Sequence, residues 1–256
     1  MNKRYFNIKK KLIALIPARK GSERIKNKNI KSLNGHPLIA YTIAAARNSK
    51  IFDKIIVSTD SIKYSNIAKH YGAEVPFLRP KEISTSKSSD FLWIYFTIEK
   101  LKKKGFSFEK FCILRPTSPF RTSKTILSAW KIFKKNTNAD SIRSVELCSQ
   151  HPSKMWTINN KIINPIFSIK NNKKQPFYNQ QYKTLPRIYI QNASLEISKI
   201  SNLYKYHNVS GKKIIPYISK NYEGVDINQK YDMEYAKHLI KKKKVKLEKI
   251  SKKKFN

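Results

Sequence analysis

Short apolar runs alternate with amphipathic segments along the first half of the chain. The apolar runs, each bounded by polar residues as a buried strand would be, are 12–16, 55–59, 111–114 and 141–145. The segments with apolar residues at helical spacing are 37–47, 61–71 and 90–103. This alternation predicts an α/β fold: a Rossmann-like, three-layer, doubly wound and mostly parallel sheet with ligand sites at the carboxyl ends of its strands.

The chain changes character after residue 150. Residues 151–182 are rich in Asn, Lys and Pro but keep apolar side chains, so we expect this segment to pack against something. Beyond it, 187–197 and 213–217 predict strands and 231–241 predicts a closing helix. We interpret the basic tail, 243–256, as a frayed and solvated helix end, and the whole of 1–256 as one domain.

The charge of the chain is extreme. Its 54 Lys and Arg residues against 16 Asp and Glu give a net charge of +38, which would suit a nucleic-acid or membrane-surface partner. The lysines are nevertheless spread over the whole chain among many Asn and Ile residues, as a bias in codon usage would produce. We find no run in which aromatic residues alternate with Lys and Arg as in an RNA-binding sheet, so we expect no specific nucleic-acid partner.

Other global features indicate a cytoplasmic protein. No apolar run approaches the roughly 18 to 20 residues that cross a bilayer, and the first residues lack the apolar region of a secretory signal. The two cysteines, Cys112 and Cys148, have no CxxC partner, and we expect both in the core of a protein from a reducing compartment. We expect no membrane insertion.

The loop after the first predicted strand carries the clearest chemistry. Its sequence is PARKGSERIKNKN, at 17–29, and Gly21 would let the backbone bend close to a ligand. A basic loop at the end of a buried strand suits a polyanion such as phosphate. Neither the P-loop spacing nor the GxGxxG fingerprint occurs. In so basic a chain, a solvated surface role explains each single lysine of this loop about as well as a ligand role.

This loop resembles the nucleotide-binding signature of the acylneuraminate cytidylyltransferases, the CMP-sialic acid synthetases and their relatives for legionaminic and pseudaminic acid. Further matches follow in the same order along the chain, namely LRPTSPFR at 114–121, HPSK at 151–154, QNASLEI at 191–197 and GVDIN at 224–228. The resemblance covers roughly residues 12–240. It implies a nucleotide-diphospho-sugar transferase-like fold and a homodimer, in which an arm within 151–186 reaches over the partner's site.

The resemblance also implies a reaction and a set of residues. CTP and a sialic-type, nine-carbon sugar acid would give a CMP-sugar and pyrophosphate with the help of Mg²⁺. Arg19 and Lys28, on the triphosphate, and Asp226, on the metal, would be catalytic. The nucleotide-binding residues that the resemblance implies are Ala18, Arg19, Gly21, Ser22, Lys28, Asn29, Arg79, Ser89 and Asp90. The sugar-binding residues that it implies are Arg115, Lys154 and Asn192.

The metal site departs from the family pattern. Mg²⁺ prefers oxygen ligands, and Asp226 stands out because it follows a glycine and precedes the last predicted helix. Where the family has Asp-x-Asp, the second member here is Asn228, whose amide can bind a metal but brings no charge, so we predict weaker Mg²⁺ affinity. The alternative for Asp226 is a helix-capping or turn role. For Asp60, at the end of the second predicted strand, we favour capping of the following helix.

Two more departures leave the sugar open. Tyr182 stands ahead of Leu185 and Pro186 where the sialic acid pattern has Arg, and NASLE at 192–196 replaces NGAIY. A cytidylyltransferase for the eight-carbon sugar acid of lipopolysaccharide is an alternative, although we would not expect it to carry HPSK and QNASLEI. A catalytically dead, nucleotide-binding relative is another, because of Asn228.

Overall fold

The computed structural model describes residues 10–167 and 175–255. The strands are β1 Lys10–Pro17, β2 Ser32–Leu33, β3 His36–Pro37, β4 Lys54–Ser58, β5 Phe108–Ile113, β6 Ser141–Leu147, β7 Trp156–Asn159, β8 Ile162–Pro165, β9 Tyr189–Lys199 and β10 Ile214–Ile218. The helices are α1 Leu38–Ser49, α2 Ile62–His70, α3 Asp90–Lys103, α4 Ser123–Lys135, α5 Ser201–Lys205 and α6 Lys230–Lys241. None of these helices has the length and apolar character needed to cross a membrane.

A six-stranded sheet in the order β10-β6-β9-β5-β1-β4 forms the middle of the fold. β1 pairs in parallel with β4 and β5, and β10 pairs in parallel with β6. β9 runs antiparallel to both of its neighbours, β5 and β6. The other five strands therefore point the same way and end at one edge of the sheet. The predicted α/β fold with a mostly parallel sheet is confirmed.

Helices cover both faces of this sheet. The residues of β1 from Leu12 to Ile16 are completely buried, which explains their unbroken apolar run. Because successive strand residues face opposite sides, Ala14 packs in one cluster with residues of α1, α2 and α4. Ile13 packs in another cluster with residues of α3 and α5. The predicted three layers are confirmed. Cys112 lies in the core as predicted, whereas the same prediction for Cys148 is wrong, since it is only half buried near the end of β6.

One helix, α4, was missing from the predicted elements although the sequence contains its signals. Thr122 is its N-cap residue, and the Thr122 side chain accepts a hydrogen bond from the backbone N–H of Thr125. Ile126, Ala129 and Phe133 follow at helical spacing, and all three are buried. This helix covers the sheet next to α1 and closes that face.

The segment predicted as an insert, 151–186, contains the hairpin of β7 and β8. Residues 168–174 of this prediction lie outside the described residues. The apolar side chains of the hairpin are exposed in the single chain: Ile158 is 78% and Ile162 is 64% exposed. The described part of one chain therefore does not cover these side chains, and the expected packing of this segment stays a prediction.

The interpretation of the basic tail as a frayed helix end is wrong. α6 ends at Lys241, and the chain then continues without helix across the layer formed by α1, α2 and α4. The Glu248 side chain accepts hydrogen bonds from the backbone N–H of Ser123 at 2.7 Å and from Asn48 Nδ2 at 2.6 Å. A carboxylate at the start of α4 suits the helix dipole. Ile250 and Phe255 pack against the core. These apolar residues among the lysines therefore anchor the tail. Asn256 lies outside the described residues.

Candidate active site

Two adjoining cavities open where the parallel strands end. The first cavity, of about 430 Å³, is bounded by the loop after β1, the segment before α3 and the loop after β5. The second cavity, of about 620 Å³, is bounded by β6, β9 and the segment before α6. The residues that line both cavities are Asp90, Arg115, Ala193 and Asp226. Molecules bound in the two cavities would meet at this shared boundary.

The first cavity is basic. The cationic side chains among the described residues that line it are Arg19, Arg24, Lys28, Arg79 and Arg115. The acidic ones are Glu23, Asp90 and Asp226. Ser22 and Asn29 add neutral hydrogen-bonding groups. The loop that was predicted to receive phosphate therefore does face a cavity, and Arg24 joins the residues that the sequence singled out.

The backbone of the loop is tied to the end of β4. Ala18 donates its N–H to Ser58 O at 2.9 Å, and Lys20 donates its N–H to Asp60 Oδ1 at 2.8 Å. Asp60 thus holds the loop, and the prediction that it caps α2 is wrong because Ser61 occupies the N-cap position. The buried Asn29 donates from Nδ2 to Arg19 O at 3.2 Å. Ala18 and Asn29 therefore stabilise the conformation of the loop through these hydrogen bonds.

Gly21 is not required by the backbone. Its φ angle lies outside the left-handed region, and a Cβ added there would meet only Arg19 Nη1, at 3.4 Å. The bend of the loop therefore does not need a glycine, and the closer approach of a ligand at Gly21 stays a prediction. Gly21 also does not line either cavity.

Lys28 is held between positive and negative charges. Its Nζ donates to Asn228 Oδ1 at 3.0 Å. Burial lowers the pKa of Lys28; Asp226 opposes this shift, and the neighbouring Arg24 and Arg19 add to it. A bound polyanion would place further negative charge beside this ammonium group and oppose the lowering of its pKa.

Arg79 and Ser89, both predicted to bind nucleotide, differ in their positions. Arg79 lines the first cavity, donates from Nε to Ser58 Oγ at 3.0 Å and lies 5.0 Å from the ring centre of Trp93. Burial lowers the pKa of Arg79 to about 10. Ser89 is the N-cap residue of α3 and does not line the cavity. The hydroxyl groups that line it from this segment belong to Thr85, Ser86 and Ser88.

Asp90 and Arg115 form an ion pair at the shared boundary. The Arg115 guanidinium donates to both carboxylate oxygens of Asp90, and Trp93 Nε1 donates to Asp90 Oδ1 at 2.9 Å. Burial by itself would raise the pKa of Asp90, but the guanidinium holds it below its usual range. The resemblance assigned Asp90 to the nucleotide and Arg115 to the sugar, and the structure brings the two side chains together at the boundary of the cavities.

A β-bulge shapes the other side of the boundary. Arg143 pairs with Glu196 and Val145 with Gln191, so residues 192–195 of β9 stand opposite a single residue of β6. The bulge places Ala193 at the boundary of the two cavities. Asn192 beside it is fully engaged: its Oδ1 accepts from Ser194 N–H at 3.2 Å, and its Nδ2 donates to Glu146 Oε2 at 3.1 Å. Sequence reasoning had no signal for this bulge.

Arg121 links the bulge to the loop after β5. It is completely buried, and its guanidinium donates to the backbone oxygens of Arg115 and Ser194 and to Thr42 Oγ1. None of these acceptors is a carboxylate, and burial lowers the pKa of Arg121 to about 10. Sequence reasoning gave Arg121 no role, although it closes the matched segment LRPTSPFR.

Asp226 is free of a capping role. At the start of α6, Asp232 Oδ2 accepts the backbone N–H groups of Asn228 and Gln229, so the capping alternative for Asp226 is wrong. Asp226 Oδ2 accepts from Asn228 Nδ2, whereas Asp226 Oδ1 is buried and has no hydrogen-bond partner among the described residues. Such an orphaned carboxylate oxygen fits a divalent cation. The Asn228 oxygen accepts from Lys28 and more distantly from Arg24.

Lys154, predicted to bind the sugar, lines neither cavity of the chain. Its Nζ donates to the backbone oxygens of Tyr178 at 2.8 Å and Gln180 at 2.6 Å. His151 fixes the same turn, because its Nδ1 accepts the backbone N–H of Ser153 at 3.1 Å. In the described residues these side chains support the segment that carries the exposed hairpin.

Comparison with known proteins identifies the family. Residues 13–252 match the sequence profile of the family described as Cytidylyltransferase. The chain belongs to the cytidylyltransferase family. The match spans nearly the whole chain, so both cavities and the bulge between them are parts of this cytidylyltransferase fold.

Relatives confirm the resemblance to acylneuraminate cytidylyltransferases. The chain is 34% identical to the N-acylneuraminate cytidylyltransferase of Escherichia coli O18:K1:H7 over 91% of its own length and 53% of that protein. It is 40% identical to the CMP-N,N'-diacetyllegionaminic acid synthase of Legionella pneumophila over 56% of its own length and 61% of that protein. The aligned region thus spans about half to three-fifths of these two relatives.

A solved structure shares the fold. CMP:2-keto-3-deoxy-manno-octonic acid synthetase, in a complex with CTP, superposes with a TM-score of 0.63 at 13% identity. The superposition covers 91% of this chain and 99% of the other. At this identity, the similarity extends to the architecture of the cytidylyltransferase sheet and its flanking helices.

Proposed function

We propose that this cytidylyltransferase transfers CMP from CTP to a nonulosonic acid and releases pyrophosphate. The observation that carries the proposal is the pair of cavities, one basic and one beside the bulge, that share Asp90, Arg115, Ala193 and Asp226. A nucleotide in the first cavity and a sugar acid in the second would place their reacting groups at this boundary. The names of the two relatives support the substrate class.

In this proposal the first cavity binds CTP. Arg19 and Lys28 neutralise the triphosphate, with Arg24 beside them, and Ser22 adds a neutral hydrogen bond. Arg79 and the hydroxyl groups before α3 face the nucleoside. Negative charge builds up on the departing pyrophosphate during the transfer. Positive side chains that are already in place stabilise this charge and so lower the free-energy barrier.

The second cavity then supplies the nucleophile. The anomeric hydroxyl of the sugar acid attacks the α-phosphorus, a new P–O bond forms, and the bond between the α-phosphorus and the bridging oxygen breaks. The electron pair leaves with pyrophosphate, and the proton of the attacking hydroxyl passes to solvent water. Arg115, at the boundary, is placed to attract the carboxylate of the sugar acid, and Asp90 orients its guanidinium. No covalent intermediate on the protein is needed.

The donor set fits Mg²⁺. Asp226, with its orphaned oxygen, would hold the cation, and Asn228 would contribute an amide oxygen once Lys28 turns toward phosphate. Bound there, Mg²⁺ supplies positive charge to the phosphate oxygens.

We also propose a homodimer assembled through the 151–186 segment. One face of the β7–β8 hairpin exposes the large apolar side chains of Trp156, Ile158 and Ile163, which a second copy would cover. Lys154 and His151 hold the base of this segment, which suits an arm of fixed direction. Analytical ultracentrifugation of the wild type and of an Ile158→Asp variant would test the assembly; a wild-type monomer would contradict it.

Pyrophosphate release tests the reaction itself. Purified protein is incubated with CTP, Mg²⁺ and, in turn, sialic, legionaminic and pseudaminic acids. We expect release with at least one sugar acid and none with CTP alone. Bound CTP without release on any sugar acid would favour a nucleotide-binding relative that has lost catalysis, and absence of CTP binding would overturn the proposal.

Asn228→Asp should strengthen metal binding. The substitution introduces a second carboxylate next to that of Asp226, within reach of Lys28 and Arg24. A gain in charge–charge attraction of about 1–2 kcal/mol would lower the Mg²⁺ concentration for half-maximal activity roughly 5- to 30-fold. Activity is titrated with Mg²⁺ at saturating CTP. An unchanged midpoint would contradict the role of residue 228 at the metal.

Gly224→Ala should damage the sugar side. A Cβ at Gly224 would lie 1.7 Å from Glu146 Oε2 and 2.6 Å from Asn192 Nδ2, so both side chains must move. We expect KM for the sugar acid to rise at least about fivefold, since loss of one polar contact costs about 1 kcal/mol or more. KM for CTP should change little, because neither side chain lines the first cavity. An equal rise in both constants would contradict this placement.

A further inference from the structure

The second cavity is acidic, which is unexpected for a cavity proposed to bind an acid. The acidic side chains among the described residues that line it are Asp90, Glu146, Glu196, Asp226 and Asp232. The cationic ones are Arg115 and Arg143. An anionic sugar would be repelled by this wall unless the carboxylates are neutralised or receive hydrogen bonds.

Four of the five acids already have a role. Asp90 pairs with Arg115, and Glu196 pairs with Arg143 at 2.8 Å and accepts from Ser210 Oγ at 2.7 Å. Glu196 is only 8% exposed, so this pair is part of the β6–β9 frame. Asp232 caps α6, and Asp226 faces the proposed metal position.

Glu146 is different. Its Oε2 accepts from Asn192 Nδ2 at 3.1 Å, and the Asn192 amide is itself fixed by Ser219 Oγ at 3.0 Å and by the backbone N–H of Ser194. No Lys, Arg or His of the described residues forms an ion pair with Glu146. The absence of a side chain at Gly224 leaves the space that the carboxylate occupies. Glu146 is therefore a positioned carboxylate, half buried in the cavity wall, with its second oxygen available.

We propose that Glu146 recognises the sugar acid by accepting a hydrogen bond from a neutral donor on it, either a hydroxyl or an acylamino N–H. This inference rests on the proposed function and names a specificity-determining group for it. Asn192 is then the positioning residue that aims the carboxylate, since its amide groups are taken by Glu146, Ser219 and Ser194. A sugar acid without a donor at the matching position would leave a charged oxygen desolvated and would bind poorly.

Glu146→Gln separates this role from simple electrostatics. The glutamine keeps one oxygen to accept from Asn192 but replaces the other oxygen by an NH₂ group, which cannot accept. If Glu146 acted only through its charge, the substitution would remove repulsion and lower KM for the anionic sugar acid. If Glu146 accepts a hydrogen bond from the sugar acid, the substitution removes that bond and KM for the sugar acid rises instead. The two explanations thus predict opposite signs.

The experiment measures KM and kcat of Glu146→Gln for the sugar acid that the wild type uses best, and KM for CTP. We expect the sugar KM to rise at least about tenfold, with kcat and the CTP constant within about twofold of wild type. Glu109→Gln is the matched control, since it makes the same change of charge. Glu109 lies at the start of β5, and its side chain lines neither cavity. It should behave as wild type.

Analogues of the sugar acid locate the donor. Each hydroxyl or acylamino group is replaced by hydrogen in turn, and the difference between wild type and Glu146→Gln should vanish for one analogue. A sugar KM that is unchanged or lower in Glu146→Gln would overturn the inference while the proposed function stands. A penalty that persists for every analogue would also overturn it. Wild-type inactivity on all sugar acids, with CTP bound, would overturn the proposed function and this inference with it.

Discussion

Replacing Arg19 and Lys28 together by alanine should abolish useful binding of CTP. Both side chains line the basic cavity, and Lys28 Nζ donates a hydrogen bond to Asn228 Oδ1 at 3.0 Å. A hydrogen bond to a charged group contributes roughly 1.5–3 kcal/mol, so two losses remove about 3–6 kcal/mol. This corresponds to a fall in CTP affinity of roughly 10²- to 10⁴-fold. Isothermal titration with CTP and pyrophosphate release measure binding and turnover.

The same loop offers a matched control. Lys20 and Lys26 lie in it but line neither cavity, and both are exposed. Their double substitution by alanine changes the net charge by the same amount as that of Arg19 and Lys28. The control should therefore bind CTP within about threefold of wild type at 0.15 M salt, where long-range effects are screened. If both double variants lose CTP affinity equally, the loop acts only through its overall charge. If neither variant loses affinity, the loop does not contribute to CTP binding.

Arg121→Met should weaken both the fold and catalysis. Methionine has a similar length but cannot donate, so the backbone oxygens of Arg115 and Ser194 and the Thr42 hydroxyl lose their donor in the core. Relief from burying a cation offsets part of this cost, and we expect unfolding to become easier by about 2–4 kcal/mol. The bulge and the loop after β5 would then shift, and a displacement near 1 Å can lower kcat about 10²-fold.

Urea unfolding followed by circular dichroism measures the stability, and kcat is determined at a temperature where the variant remains folded. Arg121→Lys serves as the comparison: it keeps the charge, but an ammonium group lacks the planar fork that reaches three separate acceptors. We expect its stability and kcat to fall between those of the wild type and of Arg121→Met. A methionine variant as stable and as active as wild type would show that Arg121 holds neither the bulge nor the loop.

Periodicity predicted most of the fold because it reports burial locally. The fully apolar run of β1 and the alternation of strands with helices are properties of short windows, so neither needed knowledge of distant residues. The same windows contained α4, whose cap and apolar spacing are as clear as those of its neighbours. The tail could not be predicted in this way, since its few apolar residues acquire meaning only from the surface that α1, α2 and α4 provide.

The site shows the same division. The loop after β1 was predicted to face phosphate, and it does line a basic cavity because a strand end fixes the position of the loop that follows it. Ser89 and Lys154 were carried over by resemblance and line neither cavity, while Arg24 and Ser88 do line the first. A shift of one residue along this loop is enough to exchange a lining hydroxyl for a helix N-cap.

The layered α/β fold, the basic loop and the acidic position before the last helix follow from the amino-acid sequence alone, since each depends on residues that are neighbours in the chain. Which side chains contact one another depends on the three-dimensional fold. Lys28 reaches Asn228 across 200 residues of chain, and Arg121 reaches Ser194 across 73. Whether the Glu146 carboxylate has an ion-pair partner depends on the register of β6 against β9 and on the bulge between them. The physical reason is that pairing between charges is set by distance in space, which periodicity along the chain does not encode.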